Sequence, residues 1–88
     1  MATFEIEWRK SALKDIKRLD QQVVPRIISA IDSLVGEPFP VGVRKLMGTE
    51  YTYRIQIGDY RVIYEVFEAK LSILIIRVRH RKEVYRQI

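Results

Sequence analysis

Polar and apolar residues alternate through Thr3, Phe4, Glu5, Ile6, Glu7 and Trp8, the period of a half-buried strand. From Trp8 the spacing changes. Trp8, Ala12, Leu13, Ile16 and Leu19 recur at three and four residues and form one stripe of a helix, while Arg9, Lys10, Lys14, Lys17 and Arg18 fall elsewhere on its surface. Asp20 is an N-cap candidate for a second helix, in which Val24, Ile27, Ile28, Ile31, Leu34 and Val35 share a face. Pro25 is tolerable in the first turn and Gly36 suits the C-terminal cap. The two helices are expected to form an antiparallel hairpin. Pro38, Pro40 and Gly42 break any further helix and make residues 37–42 a surface connection.

The remainder reads as sheet. Residues 43–47 fit a short strand, residues 51–57 alternate cleanly, and Gly58-Asp59 places glycine first in the turn, as a type II′ hairpin prefers. Residues 60–67 are the return strand, and a second turn near Glu68, Ala69 and Lys70 leads into a strand over residues 71–78. The β-branched content predicts an antiparallel meander of three or four strands, with the N-terminal strand added at an edge. The fold class is α+β in the order β-α-α-β-β-β, the helices covering one face. A chain of 88 residues has no material for a second core, so residues 1–88 read as one domain.

If Gly58 and Asp59 form a two-residue turn, Ile57 lies opposite Tyr60, Gln56 opposite Arg61, Ile55 opposite Val62 and Tyr53 opposite Tyr64. Tyr53, Ile55, Ile57, Tyr60, Val62 and Tyr64 then face the helices, and Arg54, Gln56 and Arg61 point the other way. The second turn has two solutions. A two-residue turn at Ala69-Lys70 sets Arg61 opposite Val78 and gathers Arg54, Gln56, Arg61 and His80 on the open face; a three-residue turn brings Arg77 and Arg79 to Arg61 instead. Tyr51, Tyr53, Tyr60, Tyr64 and Trp8 read as core, and Arg77 and Arg79 as ordinary polar-face residues.

Charge is distributed unevenly. Residues 1–37 hold six basic and six acidic side chains, so the whole +5 net charge lies beyond them, and residues 77–88 carry five basic groups against Glu83 alone. The single histidine, His80, sits in that segment with Tyr85. A concentrated positive field holding an imidazole and a phenol suits a phosphate-handling site. The absence of cysteine excludes disulfides and thiolate zinc sites, and one histidine gives little basis for any metal, so neither metal nor cofactor is expected. No apolar stretch reaches the roughly 20 residues that span a bilayer, and the N-terminus lacks a secretory layout, which predicts a soluble, cytoplasmic protein without a membrane partner.

The run Tyr53-Arg54-Ile55-Gln56-Ile57-Gly58-Asp59-Tyr60-Arg61-Val62-Ile63-Tyr64, followed by Val78-Arg79-His80-Arg81-Lys82-Glu83-Val84-Tyr85, resembles the RelE branch of the RelE/ParE toxin superfamily. Lys45-Leu46-Met47-Gly48 also resembles a motif just before that block, and the helical hairpin fits the whole length. The resemblance implies a compact α+β toxin of a type II toxin–antitoxin system that cleaves messenger RNA on the ribosome and arrests translation. It implies as partners a cognate antitoxin, the ribosome and its message, and a toxin–antitoxin hetero-oligomer acting on operator DNA through the antitoxin. The alternatives are a ParE-like toxin that inhibits DNA gyrase without acid or base chemistry, and an RNA-binding module without cleavage.

Metal-free RNA cleavage has the ribose 2′-hydroxyl attack the adjacent phosphate. A base accepts its proton, cations stabilise the phosphorane and an acid protonates the departing 5′-oxygen. The catalytic candidates are Arg61, His80, Arg81 and Tyr85. The two arginines suit the cationic role, because guanidinium binds phosphate bidentately and does not carry protons. His80 suits proton transfer, and Tyr85 resembles the family's C-terminal tyrosine, placed to stack on a base or orient the nucleophile. Lys45, Arg54, Gln56 and Lys82 are the phosphate- and RNA-binding candidates. Some relatives place two lysines where this chain has Arg54 and Gln56, and others use a carboxylate upstream of the hairpin. Glu50 falls in a turn and Glu37 cannot be assigned by spacing, so the general base is unassigned.

Overall fold

The computed structural model describes residues 3–82. Along the chain come β1 (Glu5–Trp8), α1 (Lys10–Arg18), α2 (Val24–Ser33), β2 (Arg44–Lys45), β3 (Thr52–Ile57), β4 (Tyr60–Phe67) and β5 (Ser72–His80). The strands form one five-stranded sheet in the spatial order β1-β5-β4-β3-β2. Every neighbouring pair is antiparallel except β1, which lies parallel beside β5 with Glu5 opposite Ser72 and Trp8 opposite Ile75. The N-terminal strand thus takes an edge, as its alternation and position predict, and β2 is shorter than the expected residues 43–47.

Ile27 and Ile31 of α2, with Leu34 just past its end, pack into a core with Ile55, Ile57, Val62, Tyr64, Val66, Ile73, Ile75 and Val78. The helix begins later than its predicted cap. Asp20 Oδ1 accepts the Gln22 N–H at 3.0 Å and its carbonyl accepts the Val23 N–H, so Asp20 closes a turn that precedes α2 rather than capping α2 itself. At the other end Gly36 does not adopt a left-handed conformation. The helix instead tightens, with Leu34 and Val35 N–H groups reaching back three residues to Ile31 and Asp32, which satisfies carbonyls that a glycine cap would otherwise cover.

Ala12 of the predicted α1 stripe is buried and Trp8, Ile16 and Leu19 pack against the core, but Leu13 departs from it. Leu13 is 46% exposed, whereas Asp15 is only 5% exposed. The cause is where α1 lies: it packs against β5, and its inward face is the one carrying Ser11, Ala12 and Asp15. No side chain caps its N-terminus; Lys17 and Arg18 in its last turn complement the helix dipole.

Tyr64 has no exposed surface, and its hydroxyl donates to the Pro38 carbonyl at 2.8 Å, tying the connection after α2 to the sheet. Burial, and secondarily the neighbouring Tyr53, push the Tyr64 phenol well above its ordinary pKa. Tyr53 and Tyr60 are half-buried against the core, as is Trp8, but Tyr51 is 46% exposed and stacks on Phe67 at 5.2 Å.

The first hairpin follows the predicted register at every rung from Ile57–Tyr60 to Tyr53–Tyr64. Gly58 takes φ +59° while Asp59 stays out of the left-handed region, which is the type II′ arrangement. The second connection is longer than either predicted turn: residues 68–70 form one 3₁₀ turn and Leu71 follows at φ +52°. From Phe67–Ser72 to Tyr64–Ile75 the rungs keep the register of a two-residue turn at Ala69-Lys70. Ile63 then pairs with Arg77, leaving Ile76 as the extra residue of a β-bulge, and beyond it Arg61 faces Arg79 and Tyr60 faces His80. Each of the two predicted registers therefore holds in one half of the ladder.

Candidate functional site

Alternation puts Arg54 and Gln56 of β3 and Arg61 of β4 on the sheet face away from the helices. There they line one pocket of about 360 Å³ together with Arg44 and Gly42. Arg44 is brought in because β2 pairs with β3 so that Arg44 stands directly opposite Arg54. Arg61 is 8% exposed, and its Nη1 donates to its neighbour's carbonyl, Tyr60 O, at 3.2 Å. Among the described residues it forms no ion pair with Glu65 or Asp59. Gln56 Nε2 donates to Gly58 O at 3.0 Å, holding the amide at the hairpin end of the pocket. Among the described residues the lining brings three guanidinium groups together with no carboxylate, a positive field that attracts an anion.

The bulge changes the fate of the remaining candidates. His80 does not join Arg61 on the open face; it lies across from Tyr60 on the helix side, with ring centroids 5.4 Å apart. It lines a second pocket, of about 390 Å³, with Asp15, Arg18, Asp20, Tyr60 and Arg79. The Lys82 N–H donates to His80 Nδ1 at 3.3 Å, which puts the proton of the neutral ring on Nε2. Arg81 and Lys82 are exposed at the start of a helical turn, and the Arg81 N–H is anchored to Asp59 O at 2.7 Å. Lys45 is exposed and pairs with Tyr53, so alternation turns it away from the pocket that receives Arg44. Tyr85 lies outside the described residues.

Arg77 and Arg79 are not ordinary surface cations. Asp15 Oδ2 lies 3.1 Å from Arg77 Nε and Oδ1 lies 3.5 Å from Arg79 Nε, while Arg77 Nη2 donates to Oδ1 at 3.3 Å. Arg77 Nε is buried and out of line for a hydrogen bond, so its contact with Asp15 is one of charge. The shortest of these Asp15 contacts is to backbone: Oδ2 accepts the Val78 N–H at 2.9 Å. Sequence reasoning missed Arg44 and Asp15. Arg44 precedes Lys45 by one residue, and only the register of β2 separates their roles; Asp15 sits among lysines and reads as solvated surface.

The described residues contain no group of three or more histidines, cysteines and carboxylates that could hold a metal ion. No helix among them is long and apolar enough to cross a membrane.

Comparison with known proteins adds the following. The family model described as ParE toxin of type II toxin–antitoxin system, parDE, matches residues 6–85. The protein named RelE1 from Methanocaldococcus jannaschii is 30% identical over 86 residues, covering 94% of this chain and 96% of that one. Toxin RelG of Mycobacterium tuberculosis is 27% identical over 88 residues, covering 96% and 98%. A chain in the crystal structure of the archaeal RelE–RelB complex from Pyrococcus horikoshii superposes with a TM-score of 0.79 at 33% identity, covering 90% of this chain and 96% of that one.

Proposed function

This chain belongs to the ParE toxin family of type II toxin–antitoxin systems, on its RelE branch, and from that membership we propose that it is an endoribonuclease that cuts messenger RNA on the ribosome. The observation that carries the reading is the pocket of Arg44, Arg54, Gln56 and Arg61, which gathers three guanidinium groups on the open face of the sheet. Such a lining suits a phosphodiester that gains negative charge as it reacts.

In the proposed reaction the ribose 2′-oxygen forms a bond to phosphorus as the bond from phosphorus to the 5′-oxygen breaks. One proton leaves the 2′-hydroxyl and one arrives on the 5′-oxygen, leaving a 2′,3′-cyclic phosphate and a free 5′-hydroxyl. Arg61 and Arg54 hold the non-bridging oxygens, with Arg44 and Gln56 beside them. Arg81 and Lys82 extend the basic surface toward the flanking strand, and Tyr85 orients or stacks on the substrate. His80 serves proton transfer from the other side of the ladder end. With its Nδ1 occupied by the Lys82 N–H, the neutral ring donates through Nε2, and it takes a proton on Nδ1 only after that bond breaks.

The partner in this reading is a cognate antitoxin, as in the RelE–RelB complex to which the fold is similar. Its acidic portion would cover the arginine pocket, and an apolar portion would lie on the outer face of α2, where Val24, Pro25 and Ile28 line an open groove. The complex would act on operator DNA through the antitoxin.

Programmed ribosomes incubated with the purified chain test the function. Codon-associated cuts that vanish with Arg61→Ala are expected, and undiminished cutting by His80→Gln would remove His80 from proton transfer. Intact message with blocked supercoiling would move the chain to gyrase inhibition, and intact message on a bound ribosome would make it a binder.

A further inference from the structure

We propose that Ser11 and Asp15 are positioning residues for the arginine pocket: from α1 they cap the bulge in β5 and so set Arg79, rather than Val78, across the ladder from Arg61. The kinetic part of the test rests on the nuclease reading above; the structural part does not.

Successive carbonyls of a regular strand point to opposite edges. Ile75 and Ile76 both present theirs to the outer edge of β5, where Ile75 O accepts the Arg9 N–H at 2.9 Å and Ile76 O accepts the Ser11 hydroxyl at 2.7 Å. Four residues further along the same face of α1, Asp15 accepts the Val78 N–H at 2.9 Å. The pair therefore grips the carbonyl of the unpaired residue and the amide two positions beyond it. The paired rungs of β1 end at Trp8, opposite Ile75, so β1 does not supply these bonds.

Without the bulge, the register of residues 64–67 would continue. Val78 would turn outward, and Arg77 and Arg79 would turn into the core that Val78, 1% exposed, now fills. Leaving Ile76 unpaired avoids that burial, and the two bonds from α1 offset the missing rung. Asp15 also sorts the cations. Arg61 and Arg79 stand directly opposite, an arrangement that is repulsive by itself, and the carboxylate draws Arg79 and Arg77 toward α1 while Arg61 lines the pocket with Arg44 and Arg54. Bulges are frequent beside active sites because they re-aim side chains.

The full chain labelled with 15N and 13C gives the register directly from cross-strand nuclear Overhauser contacts. Wild type is expected to show Arg61–Arg79 and Tyr60–His80 contacts and a slowly exchanging Val78 amide. Ser11→Ala combined with Asp15→Ala is expected to speed exchange of that amide by at least about tenfold and to shift those contacts. Asp15→Asn, which keeps an oxygen for Val78, is expected to preserve both. In ribosome-dependent cleavage the double variant is expected to lose about tenfold in kcat with KM within about twofold, and Asp15→Asn to recover most of the loss. Contacts and protection retained in the double variant would overturn the clamp, and a shifted register with unchanged kcat would overturn its positioning role. If the double variant does not fold, Ser11→Ala alone decides by the same readouts, because it removes only the Ile76 bond. A wild-type chain that leaves message intact would overturn the nuclease reading, while the contacts and exchange still decide the clamp.

Discussion

Tyr64→Phe removes a single oxygen from the middle of the core and should reveal its effect through pH. The Tyr64 hydroxyl donates to Pro38 O at 2.8 Å in a part-buried bond, and Tyr64 itself has no exposed surface. The loss of that bond, with the Pro38 carbonyl left without its donor, is worth about 1 to 1.5 kcal/mol at neutral pH. The phenol of the unfolded chain titrates near its ordinary value of about 10, whereas burial, then Tyr53, hold the folded phenol well above it.

A pKa raised on folding means that its stabilisation is complete below the unfolded value and drains as pH rises past it, because the unfolded chain releases a proton that the folded chain keeps. With an unfolded value near 10, the loss at pH 11 is about 1.4 kcal/mol. The phenylalanine variant has no such proton to release. The deficit of the variant at pH 7 should therefore close above pH 10, and the two stabilities should meet near pH 11. Equilibrium urea unfolding of both proteins from pH 7 to 11 measures this. A constant gap across the whole range would refute the assignment of the buried, bonded phenol.

Two further outcomes follow from particular residues. Gly58→Ala places a side chain at φ +59°, with its new carbon 3.3 Å from Arg26 Nη1; a loss of about 1 to 2 kcal/mol is expected in urea unfolding, and an unchanged midpoint would contradict the type II′ turn. Arg44→Ala should weaken binding to a single-stranded RNA oligonucleotide and lower the slope of log affinity against log salt by about 0.7, whereas Lys45→Ala, on the other side of β2, should do less. Equal effects of the two substitutions would contradict the placement of the pocket.

The first hairpin was legible because a two-residue turn with glycine in first position leaves one register, and Ile57–Tyr60 through Tyr53–Tyr64 follow it. The last strand was not, because residues 71–76 are apolar almost throughout and an unbroken apolar run does not say which face is inward. One signal was present. Ile73, Ile75 and Val78 are the inward residues of β5, and the step of three between the last two is the bulge written in the sequence, masked by Leu74 and Ile76. Its cause lies more than sixty positions away, in Ser11 and Asp15, and no local pattern carries such information. The same distance hid Asp15, whose lysine neighbours suggest a solvated helix face.

The C-terminal charge cluster is divided by this geometry. Arg77 and Arg79 share Asp15, His80 turns to Tyr60, and the cations that line the open-face pocket are Arg44, Arg54 and Arg61 from three other strands. On the nuclease reading this separates two tasks that the sequence groups together. Guanidinium stabilises developing charge and does not transfer protons, so the pocket binds and polarises the phosphodiester but cannot supply base or acid. His80, one rung from Arg61 and on the opposite face, reaches a reacting oxygen only if the message passes over the hairpin end of the sheet, where Asp59 anchors Arg81. Removing Arg61 should therefore depress cleavage whatever the pH, whereas removing His80 should alter its pH profile and leave RNA binding close to wild type. A His80→Gln variant whose pH profile matched wild type would place the proton carriers outside the described residues, with Tyr85 or the ribosome.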